Sequence, residues 1–301
     1  LSSLRCIQIS PSPLPKEGSM HLFQLDFLVS EEDYDLAQAL LATFSKNGFE
    51  EVFFPTGDIC LRVYSAEREA LETLGNQIKA TLPDIHMEYT EKDVDDWLES
   101  WRKNFLPVLC GTKFVVLPPW LAEKKTAFSD RIPLLIEPKN AFGTGQHETT
   151  ALCLTCLSDL LDADALPETP RFLDLGTGSG ILAVAAACTG MHGIGLDIDE
   201  QAIENARDNA LLNGVEKKCT FHQGSLEEVH GETFDLIFAN ILADPLKSMA
   251  KPLAEALTPQ GVLILSGLLT LQAEAVQEAY ARVGRTVKRQ VEKGEWAALV
   301  L

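Results

Sequence analysis

Basic side chains are scarce in this sequence: 25 lysines and arginines stand against 44 acidic residues, a net charge of −19 at pH 7. No local basic cluster offsets that balance, which would repel nucleic-acid phosphates, so direct nucleic-acid binding is not expected. Two uses of the charge remain, solubility or attraction of a basic protein partner. Cysteine is sparse as well, and the seven are odd in number and scattered through 301 residues. That excludes a disulfide framework and fits a reducing cytoplasm. The one C-x-x-C pair, Cys153 and Cys156, lies in the apolar run Ala151 to Leu157. It reads as buried thiols on a helix rather than a redox or zinc pair, and no metal site is expected. The longest apolar runs, such as Ile181 to Cys188 and Gly261 to Leu269, are too short to span a membrane. A charged-then-apolar leader is also missing, and no membrane association is expected.

What is present is an ordinary globular composition, with 46% hydrophobic and 23% charged residues, long enough for two compact units. Residues 1–20, where Gly18-Ser19 precedes Met20, read as a tag scar or an unstructured leader. His21 to Val29 alternates as a half-buried strand does, and Ser30-Glu-Glu-Asp33 predicts a capping box opening a helix that Gly48 stops. Phe49 to Phe54 and Ile59 to Tyr64, joined by Pro55-Thr-Gly-Asp58, read as two strands; Ala66 to Leu82 reads as a helix and Ile85 to Tyr89 as a strand. The order β-α-β-β-α-β predicts a ferredoxin-like α+β domain over residues 21–92. Residues 93–110 read as a bridging helix and linker, with Trp97 and Trp101 as packing residues at helical spacing. Short edge strands are expected between Phe114 and Ile136. Strand candidates at Phe172, Gly193, Cys219, Leu236 and Val262 then alternate with helical stretches. That alternation predicts a doubly wound α/β parallel sheet, so that residues 111–301 form the second domain.

The chemistry is concentrated in that second half. Asp174-Leu-Gly176-Thr-Gly178-Ser-Gly180 follows a strand and opens a helix, the setting in which a glycine loop lets backbone approach a nucleotide. Dinucleotide enzymes carry G-x-G-x-x-G, whose pyrophosphate caps the helix. Here the spacing is G-x-G-x-G after an aspartate, which suits S-adenosyl-L-methionine, a phosphate-free cofactor whose ammonium the Asp174 carboxylate can serve. Asp197, at the end of the next strand, is placed to accept from both ribose hydroxyls, while Asp199 suits the N-cap of the following helix. Ser225, after the third strand, falls where adenine contacts are expected. Asn240 ends the fourth strand in Asn240-Ile-Leu-Ala-Asp-Pro245-Leu, like the Asn-Pro-Pro-Tyr loop of methyltransferases that act on nitrogen. There it is the expected catalytic residue, aiming an amine lone pair at the sulfonium methyl. A second glycine segment, Phe142-Gly-Thr-Gly-Gln-His147-Glu-Thr-Thr150, lacks the lysine of a phosphate-binding loop. Its hydroxyls are expected to cap the next helix or line the cofactor cavity, with His147 orienting rather than acting as a base.

Three segments in this order, Phe142 to Thr150, Asp174 to Gly180 and Asn240 to Leu246, resemble the bacterial ribosomal protein L-eleven methyltransferase family, PrmA. The resemblance runs from Asp96-Trp97 to Glu295-Trp296. It implies a Rossmann-like, seven-stranded sheet with a reversed last strand, and methylation of lysine side chains and of the N-terminal amine of one basic ribosomal protein. It further implies that the N-terminal domain recognises the substrate, and that Thr150, Gly176, Asp197 and Asn240 contact the cofactor. The alternatives are a methyltransferase of another protein lysine or a small amine, a nicotinamide-dependent oxidoreductase, and a binding module without activity.

Overall fold

The computed structural model describes residues 21–30, 32–45, 49–54, 59–93, 102, 105–138 and 147–301. The leader 1–20, the turn at 55–58, Gly48, Trp97, Trp101 and the segment Phe142 to Gln146 lie outside the described residues. The chain divides into two compact units, Leu1–Phe105 and Leu106–Leu301.

In the first unit, β1 (His21–Val29), α1 (Tyr34–Phe44), β2 (Glu50–Phe53), β3 (Ile59–Ser65), α2 (Arg68–Thr81) and β4 (His86–Asp93) follow the predicted order. The sheet is antiparallel, in the spatial order β2-β3-β1-β4. Alternate residues Leu25, Phe27 and Val29 of β1 and Leu61 and Val63 of β3 bury against Ala37 and Leu41 of α1 and Leu71, Leu74 and Ile78 of α2, because a period of two puts them on one face of the sheet. Two boundaries differ from the sequence expectation. Ser30 Oγ donates to the Asp33 carboxylate and accepts from Asp33 N–H. This reciprocal pair closes a turn, and the helix begins only at Tyr34. Strand β4 runs on to Asp93, because Asp93 pairs with His21 across the ladder, so Asp93 ends a strand rather than starting a bridging helix.

The second unit opens with a three-stranded sheet of β5 (Val108–Cys110), β6 (Phe114–Leu117) and β7 (Ile132–Leu135). Val108 to Cys110 is therefore a strand where the sequence predicted a linker, recruited by pairing with Phe114 to Val116. Then come α3 (Glu148–Asp162), β8 (Arg171–Leu175), α4 (Ile181–Cys188), β9 (His192–Asp197), α5 (Glu200–Leu212), β10 (Cys219–Gln223) and β11 (Phe234–Asn240). They are followed by α6 (Ala243–Ser248), α7 (Ala250–Glu255), β12 (Leu257–Leu269), α8 (Ala273–Ala281), β13 (Arg289–Lys293) and β14 (Trp296–Val300). The seven-stranded order is β10-β9-β8-β11-β12-β14-β13, with β14 antiparallel to both neighbours.

Because both faces are covered, the central strands read as continuous apolar runs whose side chains alternate between two cores. Along β11, Leu236 and Phe238 enter the core under α3, α4 and α5, whereas Ile237 and Ala239 enter the one under α6, α7 and α8. Cys153 and Cys156 lie buried in α3 as free thiols, as their apolar surroundings predict. Among the described residues no helix is long and apolar enough to cross a membrane and no metal-binding cluster forms.

Helices α4 and α5 approach closely at Gly180. This residue has φ +79°, and a Cβ on it would lie 2.8 Å from Ala206 Cβ and 2.9 Å from Ala206 Cα. Gly180→Ala combines left-handed backbone with overpacking against a backbone that cannot yield. It is expected to cost about 2 to 3 kcal/mol of unfolding free energy in a chemical denaturation series, and an unchanged midpoint would contradict the tight crossing.

Candidate functional site

Parallel strands end together, and the carboxyl edge of this sheet collects the residues singled out in the sequence. The turn leaving β8 is pinned to β9: Gly176 N–H and Thr177 N–H both donate to Leu196 O, at 2.8 and 2.9 Å. Gly178 N–H donates to Asp197 Oδ2 at 2.8 Å, and Asp199 N–H donates to Asp197 Oδ1 at 3.1 Å. Gly180 N–H closes the turn on Thr177 O. Asp199 caps α5 by accepting from Gln201 N–H at 2.9 Å, as its position predicts, and Asp197 stands at the strand end.

Asp174 lies under this loop with no solvent exposure. Its Oδ2 accepts from the Thr177 hydroxyl at 2.6 Å and from Ala183 N–H at 3.1 Å, while Oδ1 has no hydrogen-bond partner. Burial pushes this carboxyl up to about 7; the two donors hold it down and the nearby Asp197 charge adds to the rise. Two further buried oxygens lack partners at the same edge: Thr150 Oγ1, in the first turn of α3, and Asn240 Oδ1, at the end of β11. Unpaired buried polar atoms are few in folded proteins, and three at one sheet edge mark a place made for a ligand. Ser225 sits half-buried at the turn after β10, before a short 3-10 helix (Leu226–Val229), and its side chain makes no capping bond.

The loop after β11 is seated by a glycine on the neighbouring strand. Gly267 has φ +81°, and a Cβ there would meet the backbone of Ile241, 2.4 Å from its carbonyl oxygen. Asn240 pairs with Ser266 in the same ladder. His147 caps α3: its Nδ1 accepts from Thr149 N–H at 3.3 Å and lies 2.8 Å from the Thr149 hydroxyl. Its ring stands edge-on to Trp296 with centroids 5.0 Å apart, and burial lowers its pKa. These contacts make it the cap of α3.

Sequence reasoning missed three residues here. Thr177 anchors Asp174, Gly267 shapes the Asn240 loop, and Ile198, at 78% exposure, offers a bare aliphatic surface beside Asp197. The signal for Ile198 was a lone apolar residue between two aspartates at a strand end. A separate cavity of about 490 Å³, lined by Leu226, Val229, His230, Met249 and Ala256, opens near the amino ends of β11 and β12. It lies at the opposite edge of the sheet and contains none of these groups.

The chain is 41% identical over 207 residues to the ribosomal protein L11 methyltransferase of Pelobacter propionicus, covering 68% of this chain and 66% of that protein. It is 36% identical over 277 residues to the ribosomal protein L11 methyltransferase of Syntrophotalea carbinolica, covering 91% and 85% respectively. The crystal structure of a ribosomal protein L11 methylase from Lactobacillus delbrueckii subsp. bulgaricus matches with a TM-score of 0.58 and 30% identity, over 65% of this chain and 97% of that one. The family model described as ribosomal protein L11 methyltransferase (PrmA) matches residues 32–301, and the chain belongs to that family.

Proposed function

We propose that the chain transfers methyl groups from S-adenosyl-L-methionine to lysine side chains and the N-terminal amine of a basic ribosomal protein of the large subunit. The observation that carries this reading is the set of unpartnered buried oxygens, Asp174 Oδ1, Thr150 Oγ1 and Asn240 Oδ1, around a glycine loop whose amides are already engaged. Asp174 and Thr150 would meet the amino acid part of the cofactor, directly or through one water. Asp197 would accept from the ribose hydroxyls, Gly176 and Gly178 would give close backbone contact, and Ile198 and Ser225 would flank adenine. Gly180 acts one step removed, by letting α4 pack against α5. When bound, the cofactor supplies a methyl group on a positively charged sulfur.

The loop also disfavours a nicotinamide dinucleotide. The amides of Gly176, Thr177, Gly178, Gly180 and Ala183 all have acceptors within the protein, so they are not open to a pyrophosphate, and two aspartates would repel it. The remaining work falls to positioning. Asn240, on a loop fixed by Gly267, would accept a hydrogen bond from the target amine and aim its lone pair, and an apolar surround would favour the uncharged amine. The first unit, whose small sheet stands apart from the cofactor residues in the chain, is assigned to recognition of the substrate protein.

Three outcomes test this reading. Asp174 titrates near 7 in the free protein. Its raised value means that its contribution to stability is complete below about pH 4 and fades as pH rises through 7. A cationic ligand favours the ionised form, so cofactor affinity should climb up to tenfold per pH unit between about 5 and 7 and level off above. Calorimetry in buffers of different ionisation enthalpy should detect a released proton at pH 6, and Asp174→Asn should abolish it; a flat pH profile would remove Asp174 from the cofactor site.

Asp197→Ala should weaken cofactor binding by about 1.5 to 3 kcal/mol. The structure adds a cost of about 1 kcal/mol in stability, because Gly178 N–H loses its acceptor. Equal affinity in variant and parent would show that the ribose lies elsewhere.

Asn240→Ala should slow single turnover at saturating cofactor by about 10 to 1000-fold, more than it lowers cofactor affinity. Matching single-turnover rates would reduce Asn240 to a cofactor contact or a turn residue. Mass spectrometry of the large-subunit proteins after incubation with labelled cofactor identifies the substrate.

A further inference from the structure

Large aliphatic side chains left in water are informative when they cluster at one place. Among the described residues the three most exposed large hydrophobic side chains are Leu271 at 84%, Ile198 at 78% and Leu242 at 72%. Each lies within two residues of the carboxyl end of a parallel strand: Ile198 after β9, Leu242 after β11 and Leu271 after β12. Ile198 stands beside the ribose carboxylate. Leu242 and Leu271 follow β11 and β12, neighbouring strands that lie on the other side of β8 from β9.

The two leucines are held out by the fold rather than left loose. Leu242 is two residues beyond Asn240, and the close approach of Gly267 to the Ile241 backbone fixes where it emerges. Leu271 belongs to a short 3-10 turn (Thr270–Gln272) whose first amide donates to Glu295 O at 2.8 Å, tying it to the hairpin that leads into β14. The surface next to them is acidic. Exposed Glu274 and Glu295 flank Leu271, and exposed Asp244 follows Leu242, although Asp244 already pairs with Lys247 at 2.8 Å.

We propose that Leu242 and Leu271 form an apolar lip that receives the methylene stem of the target lysine and the chain beside it, with Glu274 and Glu295 attracting neighbouring cationic groups. The inference rests on the methyltransferase reading of the same edge. A lysine is the occupant that matches both features: it carries four methylenes ending in a cation and lies in a basic segment. A small amine would leave the leucines uncovered. An acidic peptide would be repelled by the net charge of −19. Because the side chains are already in water in the free protein, truncating them removes contacts made only with the substrate.

The test compares the parent with Leu271→Ser and with Leu242→Ser/Leu271→Ser, using purified large-subunit ribosomal protein L11 as substrate. The expected result is a KM for that protein raised about threefold in the single variant and about tenfold in the double variant. The cofactor dissociation constant and the thermal midpoint should stay at parental values. Parental turnover with an unchanged KM in both variants would overturn the lip while leaving the enzyme assignment intact. A parent that binds cofactor but leaves the ribosomal protein unmethylated would overturn the functional reading and the lip together.

Discussion

The carbonyl of Leu196 and the carboxylate of Asp197 accept three amides from the loop after β8, those of Gly176, Thr177 and Gly178. Every other part of the site depends on that attachment. It fixes the path of the loop over Asp174, sets where α4 begins, and brings Gly180 against Ala206 of α5. It also decides what the loop can hold. A phosphate site works by presenting free N–H groups, and here the amides of Gly176, Thr177 and Gly178 are used to join two strands. What the loop presents instead is carboxylate and bare backbone, complementary to hydroxyls and an ammonium group.

Stability is given up for this arrangement. A fully buried carboxyl with one unpaired oxygen costs the protein when no ligand is present, and its rise to about 7 measures how poorly the site tolerates the bare charge. The neighbouring orphan oxygens of Thr150 and Asn240 carry the same kind of cost without charge. The compensation lies in two apolar cores, in which α3, α4 and α5 cover one face of the sheet and α6, α7 and α8 the other. Asparagines stitch the rim: Asn209 donates to Ser179 O and accepts from Glu137 N–H, and Asn213 exchanges bonds with the backbone of Leu135. The side chains of α5 thus hold the glycine loop and the strand segment that precedes α3 in one frame.

Much of this was legible in the sequence because local patterns coincide with the features that make the site. Asp174-x-Gly-x-Gly-x-Gly180 specifies a strand, a turn and a helix in seven residues, and the cap at Asp199 followed from the position of one helix start. The order of the small antiparallel sheet followed from period-two runs separated by helices. What escaped depends on contacts distant in sequence. Gly267 looks like an ordinary strand residue until β12 is laid beside the loop after β11. Val108 to Cys110 has no strand signature of its own and becomes one by pairing. The pKa of Asp174 is a property of burial, which no motif encodes.

The position of His147 bears on how a lysine loses its proton. Thr149 N–H donates to Nδ1, so in this geometry that nitrogen carries a lone pair and the ring proton sits on Nε2. Protonating the ring would place an N–H against the Thr149 amide and break the cap of α3, and burial beside Trp296 opposes the charge as well. The bond that makes His147 a cap thus disfavours its charged form, and the Nδ1 lone pair is already in use. A base working through Nδ1 is incompatible with that cap. On the proposed reading, proton removal would then fall to the surroundings of the amine: the apolar lip would lower the cost of the neutral form, and water or a carboxylate at the edge of the sheet would take the proton. Such a site would work by orienting and desolvating its substrate, with His147 kept for the helix cap.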